Sequence, residues 1–221
     1  MSAIRAVLID LYDTLVWSEW PAMRGELERR FGLTEAELLR AYTLTRPARS
    51  VGTYGSAEGD VGAVLEAAGV SSDPETVREL TRRTNEFLRT GVTMHDDSVP
   101  ALRELRRRGL RTAVVSNCDH TTGPVVERLG LAGETDAVIL SFEVGAAKPD
   151  PAIYLAALER LEVAPGEAAF VDDQARYCDA AAELGMETFL VLRDGAAPAE
   201  GVSEPGGHRA IADLRALADL L

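Results

Sequence analysis

The chain has 221 residues, of which 46% are hydrophobic and 27% are charged, as in an ordinary soluble globular protein. Its formal net charge of -13 argues against binding to the backbone of nucleic acids, which requires basic surfaces. It has no apolar run of about 20 residues and no signal-peptide pattern, so we expect a cytoplasmic protein that binds neither membranes nor nucleic acids.

The first predicted element is a strand. Val7-Leu8-Ile9 is a continuous apolar run, typical of a parallel strand that is buried on both faces, and it ends at the carboxylate of Asp10. The region 17–93 follows, which is rich in helix formers and contains no convincing strand. Its helices are predicted at Met23–Phe31, Glu35–Tyr42, Val61–Ala68 and Pro74–Arg89.

The rest of the chain alternates between predicted strands and helices. The strands are Arg111–Val115, Asp136–Leu140, Ala168–Val171 and Glu187–Leu192. The helices are Val99–Arg108, Pro124–Leu129, Pro151–Leu161, Ala175–Leu184 and Ile211–Leu221, and Gly195–Gly207 is predicted to be a surface loop. This alternation predicts an α/β fold with a doubly wound, mostly parallel, Rossmann-like sheet.

The helical region interrupts that alternation directly after the first strand. We therefore expect two units, a core formed by residues 1–16 and 94–221 and an inserted α-helical cap domain at 17–93. Loops at the carboxyl edge of such a sheet commonly carry function, so a cap inserted there would cover the ligand site.

Polar residues follow four of the predicted strands at that same edge. They are Asp10 after the first strand, Ser116-Asn117 after the second, Lys148 beyond the third and Asp172-Asp173 after the fourth. Each feature alone has an ordinary explanation, such as a turn or a helix cap. Together they combine a carboxylate that could act as a nucleophile, hydrogen-bonding groups, a lysine and an acidic pair.

The order of these motifs resembles that of the haloacid dehalogenase superfamily of hydrolases, and the resemblance covers the whole chain, including the cap. It implies that Asp10 is the nucleophile and that Lys148 neutralises the charge of nucleophile and substrate. It implies that the transferred group is oriented by Thr14, Ser116 and Asn117. It also implies Mg²⁺ as the cofactor, held by Asp10, the backbone carbonyl of Tyr12, Asp172 and Asp173, which agrees with the preference of Mg²⁺ for oxygen ligands.

The first motif departs from the phosphatases of that family. They usually carry a second aspartate, a general acid and base, two residues after the nucleophile, where this chain has Tyr12. Haloacid dehalogenases, which need no metal, also have tyrosine there. A phenol with an ordinary pKa of about 10 is a poor base near neutrality. Asp13 replaces the usual glycine and is expected to be a turn residue rather than the missing acid.

The acidic pair Asp172-Asp173 instead favours a phosphatase. Two packed carboxylates favour a bound cation and would repel the carboxylate of a 2-haloacid. We therefore expect a magnesium-dependent phosphatase of a small phosphorylated metabolite, with an aspartyl-phosphate on Asp10 and catalytic roles for Tyr12 and Lys148. The first alternative is a 2-haloacid dehalogenase with an ester intermediate on Asp10. A cap arginine would then bind the substrate carboxylate, the candidates being Arg40, Arg46 and Arg49. The second alternative is a phosphate-binding protein without turnover. The sequence leaves open whether the protein forms a homodimer.

Overall fold

The computed structural model describes residues 3–193 and 207–221. Its main sheet has six strands, β1 (Ala6–Ile9), β4 (Arg111–Ser116), β5 (Ala137–Leu140), β6 (Ala168–Asp172), β7 (Glu187–Val191) and β8 (Arg209–Ile211). Their order is β5-β4-β1-β6-β7-β8, and every neighbouring pair is parallel. A separate antiparallel pair joins β2 (Val16–Ser18) to β3 (Val92–Met94). The predicted α/β class is confirmed.

The helices fall into two groups. Four lie between β2 and β3, namely α1 (Trp20–Phe31), α2 (Glu35–Ser50), α3 (Ala57–Ala67) and α4 (Pro74–Gly91). The others connect or follow strands of the main sheet: α5 (Ser98–Arg107), α6 (Gly123–Arg128), α7 (Leu131–Glu134), α8 (Ser141–Val144), α9 (Pro151–Leu161), α10 (Ala175–Glu183) and α11 (Ala216–Leu220). None of the helices in the described ranges is long and apolar enough to cross a membrane.

The sheet is buried on both faces, and β1 shows how. Val7 and Ile9 belong to one apolar cluster, which includes residues of α5, α6 and α11. Ala6 and Leu8 point to the other face, where they join a cluster that includes residues of α9 and α10. Because successive side chains of a strand point to opposite faces, a strand covered by helices on both sides must be apolar throughout. This burial holds the end of β1, and therefore Asp10, in a fixed place.

Helices α1–α4, which we call the helical segment (residues 20–91), have an apolar cluster of their own. It contains Met23 and Leu27 of α1, Leu38 of α2, residues of α3, and Leu80 of α4. Helix α2 begins at a capping box, in which Thr34 and Glu37 bond each other's backbone N–H groups. The four helices therefore pack on one another as well as on the loops of the sheet.

The structure corrects the prediction that 17–93 contains no strand, because β2 and β3 lie at its two ends. Each has only three residues, and they pair across the whole helical segment, so local periodicity could not reveal them. Several helix boundaries also differ, and the largest differences are at the end of α2 and the start of α11. Helix α2 continues past Pro47 to Ser50, because its last turn buries Arg49 and Ser50. Residue Ile211 ends a strand rather than beginning a helix.

The predicted surface loop Gly195–Gly207 lies outside the described residues, except for its last glycine.

Candidate active site

Three of the predicted site residues lie together at the carboxyl ends of the central strands. Asp10 directly follows β1, and its backbone N–H donates a 2.9 Å hydrogen bond to the carbonyl of Val171 in β6. Ser116 and Asp172 are the last residues of β4 and β6, the two strands that flank β1. All three side chains are buried. The parallel register thus brings motifs from distant parts of the chain to one edge.

Lys148, in the loop between α8 and α9, supplies a positive charge between two of these carboxylates. Its ammonium group donates a hydrogen bond to Asp10 Oδ1 and a 2.7 Å hydrogen bond to Asp172 Oδ2. The lysine side chain is only 1% exposed. Its Nζ atom also lies 5.1 Å from the ring centroid of Tyr177 and 5.5 Å from that of Phe170. Such aromatic faces favour a cation.

Asn117 holds the backbone of Lys148 in place. Its Oδ1 accepts a 2.7 Å hydrogen bond from the Lys148 N–H, and its Nδ2 donates a 2.8 Å hydrogen bond to the Lys148 carbonyl. The same Nδ2 lies 3.3 Å from the hydroxyl of Tyr177. The sequence predicted that Asn117 orients substrate, but here both ends of its amide are engaged by the protein. This contact positions Lys148, and local sequence carries no signal for it.

The electrostatics of the three groups follow from burial. Burial raises the pKa of Asp10 well above its ordinary value, although the charge of Lys148 opposes that shift. Burial likewise raises the pKa of Asp172, again against the effect of Lys148. Burial alone would lower the pKa of Lys148, but the charges of Asp10 and Asp172 raise it above its ordinary value. The lysine stays protonated, and further positive charge would stabilise the ionised carboxylates.

Asp173 completes an acidic cluster. One carboxylate oxygen each from Asp10, Asp172 and Asp173 lie within 4.8 Å of one another. Burial, with the charges of Asp10 and Asp13, raises the pKa of Asp173 to about 6. Considering only the described residues, the buried Oδ1 of Asp173 has no hydrogen-bond partner. An unpartnered buried carboxylate oxygen is unfavourable, so the cluster fits a divalent cation that prefers oxygen ligands, such as Mg²⁺.

Two hydroxyl groups of the predicted site are also buried without a hydrogen-bond partner among the described residues. Thr14 is 0% exposed and Ser116 is 1% exposed. Neither side-chain oxygen has a hydrogen-bond partner among residues 3–193 and 207–221. Buried hydroxyls normally find a partner, so these two could serve a bound anion.

The chain turns sharply after β1. Asp13 has a φ of 63°, and its backbone N–H donates a 2.6 Å hydrogen bond to the carbonyl of Val16. Asp13 is therefore a turn residue, as predicted. The hydroxyl of Tyr12 lies 3.4 Å from Thr122 Oγ1, and burial raises the pKa of Tyr12 above its ordinary value. The contact between Thr122 and Tyr12 has no signal in the local sequence.

Two polar pairs join the helical segment to the loop after β4. Arg49 of α2 forms a buried ion pair with Asp119, and Asp60 of α3 accepts hydrogen bonds from the backbone N–H of His120 at 3.1 Å and from its Nδ1 at 2.7 Å. Sequence reasoning missed both pairs. The one available signal was the position of Asp119-His120 directly after the second motif.

A cavity of about 500 Å³ lies between the helical segment and the sheet edge. Tyr12, Asp13 and residues 117–119, 121 and 122 of the loop after β4 line its base, and residues of α1–α4 line most of the remainder. A larger cavity of about 770 Å³ lies around β5, α8 and α9, and its lining includes none of the predicted site residues. The smaller cavity is therefore the one connected with the chemistry.

The family model for haloacid dehalogenase-like hydrolases matches residues 4–185. The chain belongs to this family. This match confirms the family that the order of the motifs predicted. The relatives of the chain include both phosphatases and dehalogenases.

Two relatives with different activities match most of the chain. The chain is 29% identical over 206 residues to the glyceraldehyde 3-phosphate phosphatase of Methanopyrus kandleri, covering 86% of this chain and 84% of that protein. It is 27% identical over 201 residues to (S)-2-haloacid dehalogenase 1 of Pseudomonas sp., covering 87% and 86%. Over a 92-residue segment it is 44% identical to the mouse haloacid dehalogenase-like hydrolase domain-containing protein 3. That match covers 41% of this chain but only 36% of the mouse protein's length.

A solved structure supports the fold. The 2-haloacid dehalogenase of Pseudomonas syringae superposes with a TM-score of 0.71 at 23% identity, covering 98% of this chain and 97% of that one. At this identity the similarity establishes the architecture alone. A phosphatase structure from Thermococcus onnurineus also matches, with a TM-score of 0.66 at 24% identity over 98% of this chain and 97% of that one, so the fold does not distinguish the two reactions.

Proposed function

We propose that the chain is a magnesium-dependent phosphatase that hydrolyses a small phosphorylated metabolite. The observation that carries this proposal is the balance of charge, because three carboxylates cluster where a single lysine contacts two of them. Asp10 and Asp172 share Lys148, and in the described part of the chain Asp173 keeps a buried oxygen without a hydrogen-bond partner. A divalent cation would offset the remaining negative charge.

Asp10 is the proposed nucleophile. One carboxylate oxygen attacks phosphorus, the bond between phosphorus and the alcohol oxygen breaks, and the alcohol leaves with the electron pair and takes up a proton. Water then attacks the aspartyl-phosphate, which releases inorganic phosphate and restores the carboxylate. Lys148 supports both steps, because its protonated ammonium group reduces the repulsion between the carboxylate and the phosphoryl group.

Other residues would bind and orient the phosphoryl group. The buried hydroxyls of Thr14 and Ser116 are proposed to hydrogen-bond phosphoryl oxygens, and Asn117 keeps Lys148 in position through its backbone. Tyr12 is proposed to donate a hydrogen bond rather than to accept a proton, because burial raises its pKa. The proton for the leaving alcohol then comes from another group or from water.

The proposed metal ligands are Asp10, Asp173 and the backbone carbonyl of Tyr12, with Asp172 as a further ligand or as a group that orients Lys148. A bound Mg²⁺ supplies positive charge that stabilises the phosphoryl oxygens during transfer. The raised pKa of Asp173 supports this assignment, because a carboxylate held in that environment gains from a neighbouring cation.

We also propose that residues 17–93 form a cap domain and that residues 1–16 and 94–221 form the core. The helical segment has its own apolar cluster, and the short pair β2–β3 joins its two ends. The cavity beneath it reaches Tyr12 and Asn117, which supports a role in enclosing the substrate. Such enclosure excludes water and strengthens electrostatic interactions in the site.

A 2-haloacid dehalogenase is the second candidate, and Tyr12 favours it. In that reaction Asp10 would attack carbon and expel halide. The substrate carboxylate would need a cation. Of the candidate arginines, Arg49 is already bonded to Asp119, to Thr45 Oγ1 at 3.0 Å and to the carbonyl of Tyr42 at 3.2 Å, whereas Arg46 lines the cavity at its exposed side. The acidic cluster would also repel such a substrate, which is why we rank this candidate second.

The two reactions differ in their need for metal. The protein is assayed on a panel of phosphorylated metabolites and on 2-chloropropionate, with Mg²⁺ and after treatment with EDTA, and the Asp10→Asn variant serves as the inactive control. We expect turnover of a phosphate ester that EDTA abolishes and Mg²⁺ restores. Turnover of 2-chloropropionate alone, unaffected by EDTA, would establish the second candidate. Saturable binding of phosphate without any turnover would indicate a phosphate-binding protein.

A further inference from the structure

The cavity beneath the helical segment is lined mainly by apolar side chains. All four helices contribute, with Leu27 from α1, Leu38 from α2, Leu65 from α3 and Leu80 from α4. These four leucines are between 3% and 5% exposed, so their side chains are almost fully shielded from solvent. They belong to the apolar cluster of the helical segment, and the half-buried Trp20, Phe31 and Leu33 add the apolar surface that a ligand can reach.

The cavity also reaches the catalytic edge and the solvent. Its lining includes Tyr12 and Asp13, which follow Asp10 closely in the chain. It also includes Asn117, which is hydrogen-bonded to the backbone of Lys148. At another part of the wall, Leu39 and Arg46 of α2 line it and are exposed. Asp10 and Lys148 are not in the lining themselves, but a molecule entering past α2 could place one end next to their neighbours Tyr12 and Asn117 and the other against the apolar wall.

The buried cation of the cavity wall, Arg49, is already paired, and the other arginine of the lining, Arg46, is exposed at the solvent side. Arg49 donates to Asp119, Thr45 and the carbonyl of Tyr42, and its guanidinium carbon lies 5.1 Å from the centroid of the Tyr42 ring. A second anionic group on the ligand would compete with Asp119 for this arginine. The anionic end of a ligand is better served at Lys148 and the buried hydroxyls, which leaves the leucine-lined part for an apolar group.

We infer that this cavity holds the apolar body of the substrate, so that the enzyme acts on phosphate monoesters of apolar alcohols rather than on phosphorylated sugars. This inference rests on the proposed phosphatase function. A volume of about 500 Å³ lies within the roughly 300–1,000 Å³ of ordinary small-molecule sites. An alkyl or aryl group bound there would make packing contacts with the apolar side chains of the lining.

The inference predicts a dependence on chain length. Each methylene transferred from water to an apolar site contributes roughly 0.8 kcal/mol, which is about fourfold in affinity. From an ethyl to a hexyl group the gain would be on the order of 100-fold. In a site that recognises hydroxyl groups, affinity would not rise with chain length. An alkyl chain bound there would leave the polar groups of the site unpaired.

The test combines binding and turnover. Ethylphosphonate and hexylphosphonate, which cannot be hydrolysed, are titrated calorimetrically in the presence of Mg²⁺, and ethyl phosphate and hexyl phosphate are assayed for kcat/KM. Ala68→Phe is the filling variant, because Ala68 lines the cavity. Ala67→Phe is its matched control, because Ala67 is the adjacent residue and is not part of the lining. Circular dichroism verifies that both variants fold.

We expect the wild type and Ala67→Phe to bind hexylphosphonate on the order of 100-fold more tightly than ethylphosphonate. Ala68→Phe should lose most of that gain while its affinity for ethylphosphonate stays within about twofold. Equal affinities for the two phosphonates, or an unaffected Ala68→Phe variant, would overturn the inference even if ethyl phosphate is hydrolysed. A steep binding series without hydrolysis of either ester would support the apolar site and overturn the phosphatase function.

Discussion

The ammonium group of Lys148 lies 2.7 Å from Asp172 Oδ2 while it also donates a hydrogen bond to Asp10. One cation therefore holds together the carboxylates that end two adjacent strands. Lys148 is the only lysine in the sequence. An ammonium group is a compact point charge, which fits between two carboxylates where a planar guanidinium would need more space.

Replacing Lys148 by methionine should destabilise the protein severely, because it leaves two buried carboxylates without their cation. The expected loss in the free energy of unfolding is about 3–5 kcal/mol, measured by urea denaturation at pH 7.5. Arg5→Met is the matched control, since it removes a cation from the exposed pair with Glu167 and should cost less than about 1 kcal/mol. Equal losses in both variants would contradict the structural role of Lys148.

The single lysine also allows a direct test of its charge. Protein labelled with ¹⁵N-lysine should give one Nζ resonance, which reports Lys148 alone. Because Asp10 and Asp172 raise the pKa of Lys148, we expect the ammonium form to persist above pH 10.4, the ordinary value. Asp172→Asn should lower that pKa by removing one of the two charges. A wild-type midpoint at or below 10.4 would contradict the arrangement.

The metal-free protein should lose stability as the pH rises from about 4 to about 7. The pKa of Asp173 is about 6 in the folded state against an ordinary value of 3.8, so the folded state binds more protons in that interval. Its ionisation therefore favours unfolding. Thermal unfolding in EDTA, followed between pH 4.5 and 7.5, should show this fall, and Asp173→Asn should reduce it.

Asp213→Asn serves as the control for that experiment. A hydrogen bond from Arg215 lowers the pKa of Asp213 to about 2, so its contribution to stability is present above pH 3.8 and is lost only as the pH falls toward 2. This variant should keep the wild-type fall between pH 4.5 and 7.5. An Asp173→Asn protein with an unchanged pH dependence would show that Asp173 is not the group responsible.

Tyr12→Asp should increase phosphatase turnover if the missing proton-transfer group limits it. General acid–base catalysis typically contributes on the order of 10²-fold or more, which sets the expected gain in kcat. Tyr12→Phe removes the hydroxyl without adding an acid and should show no gain. The measurement is kcat on the best phosphate ester with saturating Mg²⁺, and a Tyr12→Asp protein that folds but gains nothing would contradict the prediction.

Asp13→Gly should stabilise the protein, because glycine adopts the φ of 63° without the steric penalty of a side chain. We expect about 0.5–1 kcal/mol in the free energy of unfolding. Asp13→Asn removes the charge but keeps a side chain that tolerates this conformation, so its stability should change less. As a turn residue, Asp13 should tolerate both changes with kcat within about twofold. A large loss of kcat in both variants would instead identify Asp13 as the proton donor.

Much of the fold could be predicted because its signals are local. The apolar run before Asp10 and the runs before Ser116 and Asp172 each identify a buried strand from adjacent residues alone. The pair β2–β3 could not be predicted in this way, since its strands are short and their partners lie at opposite ends of the helical segment. The extension of α2 past Pro47 likewise depends on contacts made after folding.

The sequence by itself determined which chemical groups stand at the carboxyl ends of the strands, because strand ends follow from local hydrophobicity and the parallel topology brings them together. Only the tertiary structure decided how those groups pair. Lys148 reaches an aspartate 138 residues away, and Asn117 holds the lysine backbone rather than standing free. Arg49, which the sequence suggested as a cation for the substrate, forms an ion pair with Asp119. Side-chain partners depend on how distant segments approach one another in space, and no local pattern records that approach.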